Sequence, residues 1–171
     1  MGRTAAAAAT VARGRIFAMM DADGDGVISA HDYLSRVDRA VRATGRSQDD
    51  PLVVAARREA HKAWGAMDAN GDGKLTLEEY DAWVGADKFD NVCRFALGSL
   101  FDLADADGDG ALSKDEFTVL RSALNNAPGN AAAAFNALDG DDDGWVRRDE
   151  YLASIRSYVI GDASPMGEAL Y

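Results

Sequence analysis

The sequence predicts an all-α protein of four helix–loop–helix units in two pairs, with a short β-bridge between the loops of each pair. Three observations predict this fold. A twelve-residue acidic segment occurs four times in the 171 residues, an aromatic residue stands at a fixed distance before and after each copy, and an aliphatic residue occupies the same position inside every copy. Self-similarity of this kind is the signature of a repeated structural unit.

The repeated segment has an acid at position 1, Asp or Asn at position 3, Asp at position 5, Gly at position 6 and an acid at position 12. Two carboxylates about 4 Å apart repel each other by roughly 4 kcal/mol at an effective dielectric constant of about 20. The crowding therefore indicates that a cation offsets the repulsion. The copies are DADGDGVISAHD at 21–32, DANGDGKLTLEE at 68–79, DADGDGALSKDE at 105–116 and DGDDDGWVRRDE at 139–150.

The spacing of these residues fits the oxygen shell of Ca²⁺, which takes six to eight oxygens at about 2.3–2.6 Å. Side chains at positions 1, 3 and 5 point inward, position 6 turns sharply, position 7 gives its backbone carbonyl, and position 12 reaches back with two oxygens. This is the EF-hand loop. The predicted ligands are Asp21, Asp23, Asp25, Val27 and Asp32 in the first loop, Asp68, Asn70, Asp72, Lys74 and Glu79 in the second, Asp105, Asp107, Asp109, Ala111 and Glu116 in the third, and Asp139, Asp141, Asp143, Trp145 and Glu150 in the fourth.

The residues that flank the loops indicate helices with a buried aromatic side chain at each end of the loop. We expect these rings to form the core, and we expect the aliphatic residue at position 8 to form a two-strand bridge with the paired loop. The rings are Phe17, Trp64, Phe101 and Phe135 before the loops and Tyr33, Tyr80, Phe117 and Tyr151 after them, and the position 8 residues are Ile28, Leu75, Leu112 and Val146.

The connections between the units suggest how the units pair. Asp50 and Pro51 have the residue types of an N-cap and a first helical position, and they predict a helix from about Pro51 to Met67. The sequence NNAPGN at 125–130 breaks the chain between the third and fourth units. We expect an N-terminal pair in residues 1–88 and a C-terminal pair in residues 89–171, with a tail at 161–171.

The four loops are not expected to bind equally, and together they predict three to four Ca²⁺ ions. The third loop has the most complete ligand set, and the second differs only by Asn70, which keeps an oxygen but removes a charge. Asp32 closes the first loop and is one methylene shorter than Glu, which predicts weaker Ca²⁺ binding and better tolerance of Mg²⁺. Arg147 at position 9 of the fourth loop puts a positive charge beside the ion. A structural role without metal is the alternative for the first and fourth loops.

The composition disfavours several classes of function. With 29 acids, 18 bases and a formal charge of −11, the chain would repel the phosphates of nucleic acid. The sequence contains no run of about 18 apolar residues, so it predicts no membrane span. Cys93 is the single cysteine, which excludes an internal disulfide framework, and it is interpreted as a small core residue. His31 and His61 are interpreted as surface residues, and no nucleophile motif is present, so we do not expect an enzyme. We expect the protein to be cytoplasmic and monomeric.

Four EF-hands with a long first interval resemble the sarcoplasmic calcium-binding protein and calerythrin family. Asp32 at the end of the first loop and the ending IRSYVIGDASPMGEALY are similar to features of that family. The intact second loop departs from it, because that loop is often degenerate in the family. The resemblance implies a compact globule with both pairs packed together, a tail that folds back onto the body, and a Ca²⁺ buffer or transporter in the cytosol.

The alternative to a buffer is a Ca²⁺-dependent sensor that exposes a hydrophobic groove to a protein partner. Such grooves have a deformable lining rich in methionine. This chain has five methionines, and its core is predicted to be aromatic and aliphatic, which favours a closed protein. We expect Met166, Leu170 and Tyr171 to be able to fill any remaining cavity.

Overall fold

The computed structural model of the chain describes residues 2–124 and 128–165. The four predicted helix–loop–helix units are present. A π-helical turn at Phe89–Cys93 joins α5 to α6, and a 3₁₀ turn at Pro128–Asn130 precedes α8. Within the described ranges, none of the helices combines the length and the hydrophobicity of a transmembrane helix. The helices are α1 (Gly2–Met20), α2 (Ala30–Thr44), α3 (Pro51–Met67), α4 (Leu77–Trp83), α5 (Ala86–Lys88), α6 (Arg94–Ala104), α7 (Lys114–Ala123), α8 (Ala131–Leu138) and α9 (Arg148–Ile160).

Side chains of the loops start the helices that follow them. Ser29, Thr76 and Ser113, each at position 9 of its loop, are the N-caps of α2, α4 and α7, and each accepts a hydrogen bond from the backbone N–H of the acid at position 12. Reciprocal hydrogen bonds from cap to acid complete a capping box in all three. The predicted helix at Pro51–Met67 is confirmed, and Asp50 caps it by accepting from Leu52 N at 2.8 Å.

Two antiparallel bridges pair the loops as predicted. Strands β1 (Val27–Ser29) and β2 (Lys74–Thr76) join the first and second loops, and β3 (Ala111–Leu112) and β4 (Val146–Arg147) join the third and fourth. The position 8 residues face each other across the bridges and are fully buried. The facing pairs are Ile28 with Leu75 and Leu112 with Val146.

The flanking aromatic residues are buried in the core, and they cross-connect the two units of each pair. A ring that precedes one loop contacts the ring that follows the partner loop, at centroid distances of 5.6–6.1 Å. Rings at this distance stabilise each other beyond the area they bury. The pairs are Phe17 with Tyr80, Tyr33 with Trp64, Phe101 with Tyr151, and Phe117 with Phe135.

The two pairs of units pack against each other over a shared core, as the family resemblance implies. Helix α1 packs on α9, α2 packs on both α3 and α7, and α3 packs on α6. The helices of the first unit therefore contact helices of the third and fourth units. The division of the chain at residue 88 stays a prediction, because α5, the π-helical turn and α6 lead directly from one pair to the other.

The first part of the tail turns back along α9. Gly161 ends α9 with a φ of 85°, and a Cβ there would clash with the Ala5 carbonyl oxygen of α1. Ser164 Oγ then donates to the Ser154 carbonyl at 2.5 Å. This bond brings Ser164 beside α9, and the return of the whole tail onto the body stays a prediction. Met166, Leu170 and Tyr171, which we expect to be able to fill a cavity, lie outside the described residues.

Cys93, His31 and His61 are the three residues for which the sequence predicts no chemical role, and their positions agree with that prediction. Cys93 packs beside the core, and burial raises the pKa of its thiol to about 12, which keeps it protonated and poorly nucleophilic. His31 and His61 are both exposed.

Candidate metal centres

Three of the four loops gather carboxylates closely enough to share one ion. In each group, among the described residues, one oxygen of every member lies within 4.8 Å of the others. Bonds of about 2.3–2.6 Å place two ligands of the same Ca²⁺ at most about 5 Å apart, so the spacing fits the ion. The groups are Asp21, Asp23 and Asp25 in the first loop, Asp105, Asp107 and Glu116 in the third, and Asp139, Asp141 and Asp143 in the fourth.

The carboxylate at position 1 is held by the loop backbone. In the first loop, Asp21 Oδ1 accepts from Gly24 N at 3.0 Å and Asp21 Oδ2 accepts from Gly26 N at 2.9 Å. The glycine at position 6 donates to the same side chain in the other three loops, at 2.9–3.1 Å. Its φ lies between 77° and 91° in all four loops, which is why only glycine is found at this position.

The aspartate at position 5 is held in a second way. Its Oδ1 accepts from the backbone N–H of position 7 at 2.9–3.0 Å in every loop. This turn leads directly into the β-bridge, which begins at position 7 in the first three loops and at position 8 in the fourth. The backbone carbonyls of Val27, Lys74, Ala111 and Trp145 stay predicted ligands.

The acid at position 12 has two tasks. One of its oxygens accepts from the backbone N–H of position 9 at 2.8–2.9 Å in all four loops. In the third loop, the other oxygen of Glu116 reaches across to accept from Ala106 N at 3.0 Å. In the second loop, Glu79 Oε1 likewise meets the Asn70 amide at 3.1 Å. The long side chain of Glu thus closes the loop over the ion position.

Asp32 does not close the first loop in this way. Its Oδ2 accepts from both the backbone N–H and the hydroxyl of Ser29, at 2.9 and 2.8 Å. It is buried and lies outside the group that Asp21, Asp23 and Asp25 form. Asp32 is one methylene shorter than Glu116, which crosses the third loop. Glu150 also lies outside the group in its loop, although its length would allow it to reach.

The second loop contains three carboxylates and one amide. Asn70 Oδ1 accepts from Asp72 N at 3.1 Å, and its Nδ2 donates to Glu79 Oε1 and, at 3.4 Å, to Asp72 Oδ2. A carbonyl oxygen has two lone pairs, so Oδ1 keeps one for an ion. Asn70 Oδ1 therefore stays a predicted ligand, and the amide lowers the negative charge of the loop relative to an aspartate.

The fourth loop contains its own positive group. Arg147 contacts Asp143 Oδ2 at 2.6 Å and Asp141 Oδ2 at 3.6 Å. The hydrogen bond from Arg147 lowers the pKa of Asp143, and Asp143 in turn raises the pKa of the guanidinium. The arginine thus contacts two of the predicted ligands, where the other loops have a hydroxyl residue at this position.

Asp142 is a feature that the sequence analysis missed. It stands at position 4 of the fourth loop with a φ of 55°, the one positive φ of a residue other than glycine in the described part of the chain. The other loops have glycine there, with φ values of 67–71°. The signal was available in the sequence, because three copies read Gly at position 4 and one reads Asp.

Family comparisons match every one of these loops. The model for an EF-hand domain pair matches residues 94–156, and the model for the EF hand matches residues 15–35 and 65–83. Together with the ligand geometry, these matches define the class: the chain belongs to the EF-hand calcium-binding proteins. Within that class, its relatives include calerythrin and a sarcoplasmic calcium-binding protein, to which the chain is similar.

The relatives span most or much of the chain. Calerythrin of Saccharopolyspora erythraea is 25% identical over 85% of this chain and 88% of its own length. The probable calcium-binding protein CML16 of Oryza sativa subsp. japonica is 29% identical over 97% of this chain and 87% of its own. The sarcoplasmic calcium-binding protein beta chain of Penaeus sp. is 28% identical over 59% of each chain.

The fold is also that of a solved structure. A Streptomyces coelicolor calcium-binding protein that acts in prokaryotic calcium-mediated regulation is 26% identical to this chain and superposes on it with a TM-score of 0.73. The match covers 89% of this chain and 99% of the other. The two proteins therefore share the arrangement of all the units.

Proposed function

We propose that the protein is a cytoplasmic Ca²⁺ buffer or transporter that works as a monomer, without catalytic activity. The observation that carries this proposal is the packing of the two EF-hand pairs on each other, α1 on α9 and α2 on α7. A sensor exposes a hydrophobic groove when its helices open. Here the apolar faces of the helices already cover one another, and the eight flanking rings are buried between them.

The proposed ligands are the residues that the sequence predicts in the four loops, and the proposed load is three to four Ca²⁺ ions. The carboxylate groups in the first, third and fourth loops support this assignment. Mg²⁺ is proposed at the first loop, because Asp32 is held by Ser29 and offers a smaller coordination shell. Mg²⁺ accepts six ligands, whereas Ca²⁺ takes up to eight.

A calcium-dependent sensor is the second candidate, and one observation favours it. Phe95 is 50% exposed and lines a cleft with Ala63 and Val92, between α3 and the start of α6. Exposed aromatic side chains are enriched where proteins bind partners. A protein partner at this cleft would give the chain a regulatory role.

Calorimetric titration with Ca²⁺, with and without millimolar Mg²⁺, tests the proposal when it is combined with a neutral hydrophobic dye such as Nile red. A buffer binds with a dissociation constant of about 10⁻⁹–10⁻⁸ M, competes with Mg²⁺ and shows little dye response. A large rise in dye fluorescence on Ca²⁺ loading, beyond that of the Mg²⁺-loaded protein, would instead show the sensor. Absence of bound Ca²⁺ would refute both.

A further inference from the structure

A cavity of about 90 Å³ lies at the centre of the molecule, where the two EF-hand pairs meet. Helices of all four units contribute to its wall. The wall is mainly methionine, leucine and aromatic side chains, among them Met20, Met67, Phe89 and Leu97. A volume of 90 Å³ corresponds to the room of about three liquid waters, or of a short hydrocarbon chain. None of the described lining residues is Asp or Glu.

Two arginines face this apolar space. Arg36 of α2 is only 7% exposed, and Arg121 of α7 is 6% exposed. Arg36 Nε donates to the Tyr33 backbone carbonyl at 3.2 Å, and its guanidinium lies 4.1 Å from the centre of the Tyr33 ring. Within the described ranges, no carboxylate lies within ion-pairing distance of Arg36. Buried charges in proteins are otherwise paired, because a charge without a counterion is costly to bury.

Arg121 also lines the cavity. Its guanidinium lies 5.8 Å from the centre of the Phe117 ring, and burial lowers its pKa. The two arginines stand on helices that pack against each other, α2 and α7. Positive charge therefore enters the cavity from both EF-hand pairs, while the surface of the protein carries an excess of acids.

We propose that this cavity binds a small apolar carboxylate, with the carboxylate paired to Arg36 and the hydrocarbon among the methionine and aromatic side chains. The planar fork of a guanidinium matches the two oxygens of a carboxylate. A phosphate would need more hydrogen-bond donors than the apolar wall supplies. Methionine side chains adapt easily, which allows the cavity to accept chains somewhat longer than its volume in the unliganded protein.

Calorimetric titration with hexanoate tests the proposal on the full chain, in saturating Ca²⁺ and in excess chelator. We expect one hexanoate per chain in at least one of these states. Butanoate should bind more weakly, by about fourfold for each methylene removed. Hexan-1-ol, which has the same chain without the charge, should bind at least tenfold more weakly. No hexanoate binding in either state, or equal binding of hexan-1-ol, would overturn the proposal.

Two variants and a control locate the site. R36Q should weaken hexanoate at least tenfold, whereas R57Q, a surface arginine paired with Asp38, should leave it unchanged. L97F keeps both arginines and fills the cavity, and it should abolish binding even if R36Q fails to fold. Unchanged affinity in folded R36Q or in L97F would refute the assignment.

Discussion

Removal of Ca²⁺ should destabilise this protein strongly, because three loops hold groups of carboxylates within 4.8 Å of each other. An ion at about 100 times its dissociation constant adds roughly 2.7 kcal/mol per independent site. Three such sites add about 8 kcal/mol. For a domain of this size, each kcal/mol shifts the melting temperature by roughly 2–4 °C. We therefore expect a chelator to lower the melting temperature by about 16–32 °C.

Thermal unfolding followed by circular dichroism at 222 nm measures this shift, with the Mg²⁺-loaded protein as the comparison. E116Q removes the carboxylate that crosses the third loop, and it should lose about one site and roughly 5–11 °C of the calcium-dependent shift. D115N, which neutralises the neighbouring exposed acid, is the matched control and should keep the full shift. A chelator effect below about 3 °C would refute the reasoning, because the carboxylate groups would then need no cation.

Three further changes test individual positions. D32E should raise the ratio of Ca²⁺ affinity to Mg²⁺ affinity at the first loop by about tenfold, because the longer acid can reach the ion. A titration with Ca²⁺ in competition with Mg²⁺ measures this ratio. R147S replaces a cation that contacts two predicted ligands with the residue type found in the third loop, and it should tighten Ca²⁺ at the fourth loop severalfold in calorimetry. D142G replaces an aspartate that has a positive φ with glycine, which adopts this φ without a steric penalty from a Cβ. It should raise the free energy of unfolding, measured in urea, by about 0.5–1 kcal/mol. Weaker binding in either of the first two variants, or a less stable D142G, would contradict the corresponding argument.

The acidic loops and their carboxylate groups could be predicted from the sequence because the acids are close together in the chain. The dodecapeptide pattern contains the turn, the ligands and the start of the exit helix within twelve residues. Pairing of the loops was also predictable, because the aliphatic residue at position 8 and the flanking rings recur at fixed distances. Local signals of this kind do not depend on how the rest of the chain packs.

Features that depend on tertiary packing were not predictable. Arg36 and Arg121 are polar positions on amphipathic helices, and only the packing of α2 on α7 places them in one cavity. The contact of Arg147 with Asp143 depends on a side-chain rotamer. No sequence signal marked the π-helical turn at Phe89–Cys93.

The capping boxes explain why metal binding and folding should be coupled in this protein. Glu116 holds the first turn of α7 with Oε2, which accepts from Ser113 N, and spans the loop with Oε1. The same side chain therefore starts a helix and closes the ion site. Without a cation, the repulsion from Asp105 and Asp107 acts directly on Glu116, the acid of the capping box that begins α7. Because Phe117 follows Glu116 and packs on Phe135 of the partner unit, a displaced Glu116 would disturb the core of the whole C-terminal pair.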